Sequence, residues 1–194
     1  SLELLGVALG ELSPRLATRR AEWLAAMQPA EAAEAFDWAI KRAAEAGDRE
    51  SERRARLAMA GWQLQRSRLS EAATALQGLQ DDDPQAAELR GQLAKDQGEI
   101  ERARAEFAAA EAIWKTRGQL GDARRARLGL ALVELKAGDA ATAGAMAKAL
   151  IAESDQFGDS RLQGDSLEAL GMAEIDLGQV AEAREHLLAA VELA

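Results

Sequence analysis

The chain is 194 residues long, 48% hydrophobic and 29% charged, a balance that belongs to a packed protein rather than a disordered one. It holds 46 alanines, three prolines and no cysteine, tyrosine or asparagine, so an all-α fold is expected, while disulfides, thiolate metal sites and thiol nucleophiles are excluded. The formal net charge of −9 argues against nucleic-acid binding by this domain itself, because phosphate affinity needs a local excess of Lys and Arg.

The N-terminal stretch "SLELLGVALGEL" is apolar through Leu2, Leu4, Leu5, Val7, Leu9 and Leu12, and an apolar helix is expected over residues 1–13. Its 12 residues fall short of the roughly 20 that span a bilayer, and no basic leader precedes them. No membrane partner is expected, and the expected compartment is the cytoplasm.

From there the chain repeats. A small–large–small triplet follows each of five breaks: Ala32, Phe36 and Ala39 after Met27; Ala72, Leu76 and Leu79 after Ser67; Ala103, Phe107 and Ala110 after Gly98; Ala143, Ala147 and Leu150 after Gly138; Ala183, Leu187 and Ala190 after Gly178. Spacings of four and three residues put each triplet on one helical face. The small residues let two helices approach, and the large one fills the gap between them. The breaks are 40, 31, 40 and 40 residues apart. A second marker has the same phase, since Gly47, Gly118 and Gly158 each lie 20 residues after a break. The 31-residue interval carries "DDDP" at Asp81–Pro84 in place of that glycine, which predicts a shortened helix and loop there. Each unit therefore reads as two helices joined by a turn, and a helical pair of this kind buries its apolar face only by stacking on neighbours.

These residues resemble the tetratricopeptide repeat (TPR). Gly91, Gly98, Ala103, Phe107 and Ala110 match its pattern in one unit, and Leu170, Gly171, Gly178, Ala183, Leu187 and Ala190 match it in another, with Pro84 where that family places proline. The resemblance covers roughly residues 14 to 194. It departs in length, the usual unit being about 34 residues. It departs also in the first-helix aromatic, which only Trp23 matches, with Arg56, Ala87, Arg127 and Leu167 at the early tryptophan position. The 40-residue spacing with "GD" before the next helix is similar to the longer repeats of bacterial MalT-type ATPases and antibiotic-pathway transcription regulators; kinesin light chains also use long repeats. The resemblance implies one right-handed α-solenoid domain over residues 1–194, with the first helix of each pair on the concave side. Solenoids need polar caps, and this chain ends on Leu187, Leu188, Val191 and Leu193. Excision from a longer protein, or a homodimer through a terminal helix, is the expectation.

Carrying the family's concave positions over gives Arg54, Leu57, Gly61 and Leu64; then Gln85, Glu88, Gln92 and Lys95; then Arg125, Leu128, Leu132 and Leu135; then Asp165, Glu168, Met172 and Ile175. Leucines as anchors and charges as register would suit a peptide or helical segment of a protein partner, although the leucines have inter-helix packing as a plainer role. The implied function is a non-catalytic protein–protein interaction module, with a bacterial regulator's sensor or scaffold as its setting. A small-molecule sensor and a free-standing adaptor are the alternatives, and nucleic-acid binding through arginine clusters stands behind them. Relatives that clamp a peptide terminus use asparagine, which this chain lacks.

Neither a catalytic residue nor a cofactor or metal is expected. The lone histidine, His186, lies among leucines on a helix and has no evident nucleophile beside it. Trp23, Trp38, Trp62 and Trp114 read as core fillers, "DDDP" as a solvated helix boundary, and the glycines of "GQLGDAR" and "LGLALVELKAG" as helix ends. The pentapeptide "RRARL" occurs at Arg53–Leu57 and again at Arg124–Leu128, opening the first helix of alternate units. Pairing of Arg54 with Glu88, and of Arg125 with Asp165 or Glu168, is the prosaic rival to a free basic patch.

Overall fold

The computed structural model describes residues 12–193 and contains ten α-helices and no strand among them. The N-terminal apolar segment lies, up to residue 11, outside the described residues. The helices are α1 (Pro14–Met27), α2 (Pro29–Glu45), α3 (Arg49–Gln65), α4 (Leu69–Leu76), α5 (Pro84–Gln97), α6 (Ile100–Thr116), α7 (Leu120–Ala137), α8 (Ala140–Phe157), α9 (Ser160–Asp176) and α10 (Val180–Leu193). They form two compact units: one ends at Gln80 and holds α1–α4, the other begins at Asp81 and holds α5–α10. The division falls inside the span that the sequence reading treats as one domain, in the 31-residue interval, where α4 has only 8 residues.

The "GD" pairs explain how one helix stops and the next starts. Gly138 closes α7 at φ 84°, a left-handed conformation that costs a residue without Cβ nothing. The Asp139 N–H then reaches back to the Glu134 carbonyl at 2.9 Å, and the Asp139 carboxylate accepts from the Thr142 N–H at 3.0 Å to cap α8. Gly158 and Asp159 repeat the device before α9, as do Gly47 and Asp48 before α3. Ser67 holds the left-handed conformation without being glycine, at φ 56°. In "DDDP", Asp81 and Asp82 are exposed but Asp83 is buried, accepting from the Gln85 and Ala86 N–H groups as the cap of α5.

Within each unit, consecutive helices pack as antiparallel hairpins and the hairpins stack. In the second unit α5 lies against α7 and α7 against α9, whereas α6, α8 and α10 do not approach one another. The first helices of each pair therefore form the inner side of that stack. In the first unit α1 lies against α3 in the same way. The stacking surface is built on alanine: Ala103, Ala110, Ala143, Ala147 and Ala173 are fully buried.

Two glycines expected to follow a helix end are instead interior to α7. Gly121 is one; Gly129 is the other, and it faces the Phe107 ring from α6. A Cβ at Gly91 of α5 would come within 2.8 Å of the same ring from its other side. Phe107 is thus a wedge held between two helix backbones that approach because both carry glycine there.

Helix propensity alone predicts that Gly129→Ala stabilises by about 0.5–1 kcal/mol. The added methyl would strike a ring that cannot retreat, because Gly91 closes the far side. A net loss of about 1–3 kcal/mol is expected in urea unfolding; a rise in stability would show that the wedge is loose.

Candidate functional site

The inner face of the second unit collects side chains from three helices. On α5, Gln85 is exposed, whereas Glu88, Gln92 and Lys95 are half-buried. The Trp114 indole N–H donates to the Glu88 carboxylate. Burial pushes the Glu88 carboxyl above its ordinary range, with the Trp114 hydrogen bond opposing, Asp122 adding and Arg125 opposing. The Gln92 amide donates to both Asp96 carboxylate oxygens at 2.9 and 3.0 Å. Burial lowers the Lys95 ammonium, against the pull of Asp96 and with the help of Lys136.

On α7, Arg125 is exposed and pairs with Asp122 at 3.0 Å. Leu132 and Leu135 are half-buried, each resting on a core cluster. Leu128 is 8% exposed and belongs to the core with Ala147, Leu150, Leu162 and Leu170. On α9, Asp165 and Glu168 are exposed, and Met172 and Ile175 stand 38% and 51% exposed one turn apart. In the first unit Arg54 is exposed and Leu57 half-buried, while Leu64, 8% exposed, is core. Leu64 and Leu128 are therefore corrected from groove anchors to packing residues. Leu128 shows the reason: the cluster it joins includes residues of the neighbouring helices α8 and α9.

Each arginine of both "RRARL" copies is paired with a carboxylate of its own unit. Arg53 bonds Glu50, and Arg56 bonds Glu52 and the Gln77 carbonyl. Arg54 makes two bonds, 3.0 and 3.2 Å, to Glu22 of α1. Arg124 and Arg127 converge on Glu153 of α8, and Arg124 also lies 4.0 Å from the Phe157 ring. The partners differ from those expected. Arg54 bonds the first helix of the preceding pair, and Arg125 bonds its own helix and lies near enough to Glu88 to bias that carboxyl. Guanidiniums already paired with carboxylates are poor phosphate ligands, which weakens the nucleic-acid alternative.

Trp62 and Trp114 are core, each 7% exposed, and Trp38 is half-buried. Trp23 is corrected: it is 52% exposed, on an exposed stripe of α1 with Leu16 and Met27. His186 accepts or donates, according to tautomer, at 2.7 Å from Glu174, which is 3% exposed. Glu134 likewise is buried, 8% exposed, and takes two bonds from Arg104, whose guanidinium its hydrogen bonds hold above the ordinary range. Sequence reasoning passed over these buried acids. Their signal was present, because Glu134 and Glu174 both stand four residues before a turn glycine. Among the described residues no cluster of His, Asp and Glu is arranged to hold a metal, and no helix is long and apolar enough to cross a membrane.

Against solved structures, the chain is similar to a kinesin light chain-like protein of Podosopora anserina built from nearly identical TPR-like repeats. Identity is 19%, with 94% of this chain and 96% of that one covered at a TM-score of 0.64. A single-substitution variant of that protein matches at 19% identity and a TM-score of 0.66, over 93% and 92% of the two chains. No family model and no curated protein matches the sequence. The likeness is one of fold: all-α, of the TPR-like solenoid class.

Glu153 offers a test of the arginine clamp. The Arg127 hydrogen bonds, with Arg124 assisting, hold its carboxyl below its ordinary value of 4.5 despite partial burial. Its folded value is depressed, so the stability it contributes is present above 4.5 and is lost as pH falls through the folded value. Glu153→Gln is expected to lose about 1 kcal/mol at neutral pH, a figure reduced by partial exposure. The deficit should close as the solution is acidified, checked by urea unfolding at neutral and acid pH.

Proposed function

We propose that the chain is a non-catalytic protein–protein interaction module that takes a peptide or helical segment of its partner on the inner face of the first helices. The observation that carries this reading is on α9. Met172 and Ile175 are exposed on a face where Leu132 and Leu135 of the adjoining α7 are still partly accessible. Exposed large apolar side chains next to half-buried leucines offer anchors, and Arg125, Asp165 and Glu168 around them would set register. Binding chemistry suits this surface better than catalysis, since the one histidine is tied to a buried carboxylate.

The setting proposed is the sensor or scaffold part of a bacterial transcription regulator. The support for that is the 40-residue interval between turns, which resembles the repeats of those regulators.

A library of displayed peptides selected on the full chain tests the surface. Met172→Asp with Ile175→Asp is expected to weaken the selected peptides at least about tenfold, equivalent to about 1.4 kcal/mol. Arg125→Glu should weaken those that carry acidic residues, and Ala109→Asp on the exposed side of α6 should leave binding unchanged. Peptides indifferent to the α9 pair would remove the inner-face reading.

A further inference from the structure

Two charges of opposite sign on α5, Glu88 and Lys95, are half-buried in the inner face without a counter-charge. The Glu88 carboxylate accepts from the Trp114 indole N–H and makes no ion pair among the described residues. Arg125, close enough to bias it, is paired instead with Asp122 at 3.0 Å. Lys95 makes neither a hydrogen bond nor an ion pair among the described residues. Asp96, its neighbour in sequence, is held by the Gln92 amide, while Lys136 of the adjoining α7 sets a second positive charge near it. Burial pushes the Glu88 carboxyl up and the Lys95 ammonium down, as it does to any charge kept partly out of water. Such a group gains most from an opposite charge that arrives with a partner and excludes the remaining water.

The spacing of the two charges describes the partner. Glu88 and Lys95 are seven residues apart, two turns of one helix, so at about 1.5 Å per residue they present opposite charges about 10 Å apart on one face. The adjoining α7 contributes Leu132 and Leu135, both half-buried, to the same inner side. Resting on the inner-face reading above, we propose that the partner segment carries a basic residue that meets Glu88 and an acidic residue that meets Lys95 and Lys136, about 10 Å apart. That distance is three residues of an extended segment at about 3.3 Å each, or seven residues of a helix. The pair also fixes the direction of the segment, because a reversed one would bring like charges together.

Displayed-peptide libraries selected in parallel on the full chain and on its Lys95→Glu variant test this, with circular dichroism checking that helicity is kept. Peptides taken by the unmodified chain are expected to share a basic and an acidic residue, three apart if extended and seven apart if helical. Glu88→Gln, which leaves an acceptor for Trp114, is expected to weaken them about tenfold. Lys95→Glu is expected to lose those peptides and to select others with a basic residue in place of the acidic one. A purely structural role for Lys95 would leave the selected charge unchanged. Peptides without the charge pair, the same charges selected on both chains, or binding indifferent to Glu88→Gln would each overturn the proposal. Peptides that depend on Met172 and Ile175 but not on Glu88 and Lys95 would overturn it alone and leave the inner-face reading standing. A selection that returns no binder overturns both.

Discussion

Close approach of helix backbones is the constraint on which everything else in this protein rests. Ala103, Ala110, Ala143 and Ala147 are fully buried, and Phe107 is held between helices that carry Gly91 and Gly129. Small residues bring the axes together, and a few large ones, such as Phe107 and Leu150, fill the space they leave. Within each unit the first helices meet one another, while the second helices of the larger unit do not, so the first helices form its inner face. Met172 and Ile175 are exposed on α9, and Leu132 and Leu135 are half-buried on the adjoining α7. Surface and scaffold therefore have the same origin.

Charge is arranged around this packing rather than apart from it. Arg124 and Arg127 close on Glu153 across the α7–α8 hairpin, and Arg104 closes on the buried Glu134 across α6 and α7. Such pairs hold helices in rotation about their axes, which alanine contacts alone do not define, since a methyl group packs with little directional preference.

The turns at Gly47, Gly138 and Gly158 were legible because a left-handed residue followed by a capping aspartate leaves a direct trace, "GD", at a fixed phase. The alanine triplets were legible for a similar reason: spacings of four and three need no knowledge of the neighbour. What could not be read was the angle at which each helix presents its face. Leu64 and Leu128 share the helical phase of the groove positions, yet both are buried. Arg125 was assigned a partner one repeat ahead but bonds Asp122 on its own helix. Periodicity locates a side chain on its own helix and says nothing about the rotation of the next. Gly129 misled differently, because a glycine inside a helix and a glycine after one look alike until the ring it accommodates is seen. Trp23 looked like core by its residue type and is exposed.

The dependence on close approach is most directly measured by enlarging alanines on two faces of the same helix. Ala103→Leu and Ala143→Leu replace fully buried positions in α6 and α8, and Ala105→Leu and Ala145→Leu replace exposed ones two residues away. Urea unfolding should show a loss of about 1–3 kcal/mol at each buried site and a change within about 0.5 kcal/mol at each exposed one. Equal effects on the two faces would contradict the account, because the helices would then not be held at alanine distance.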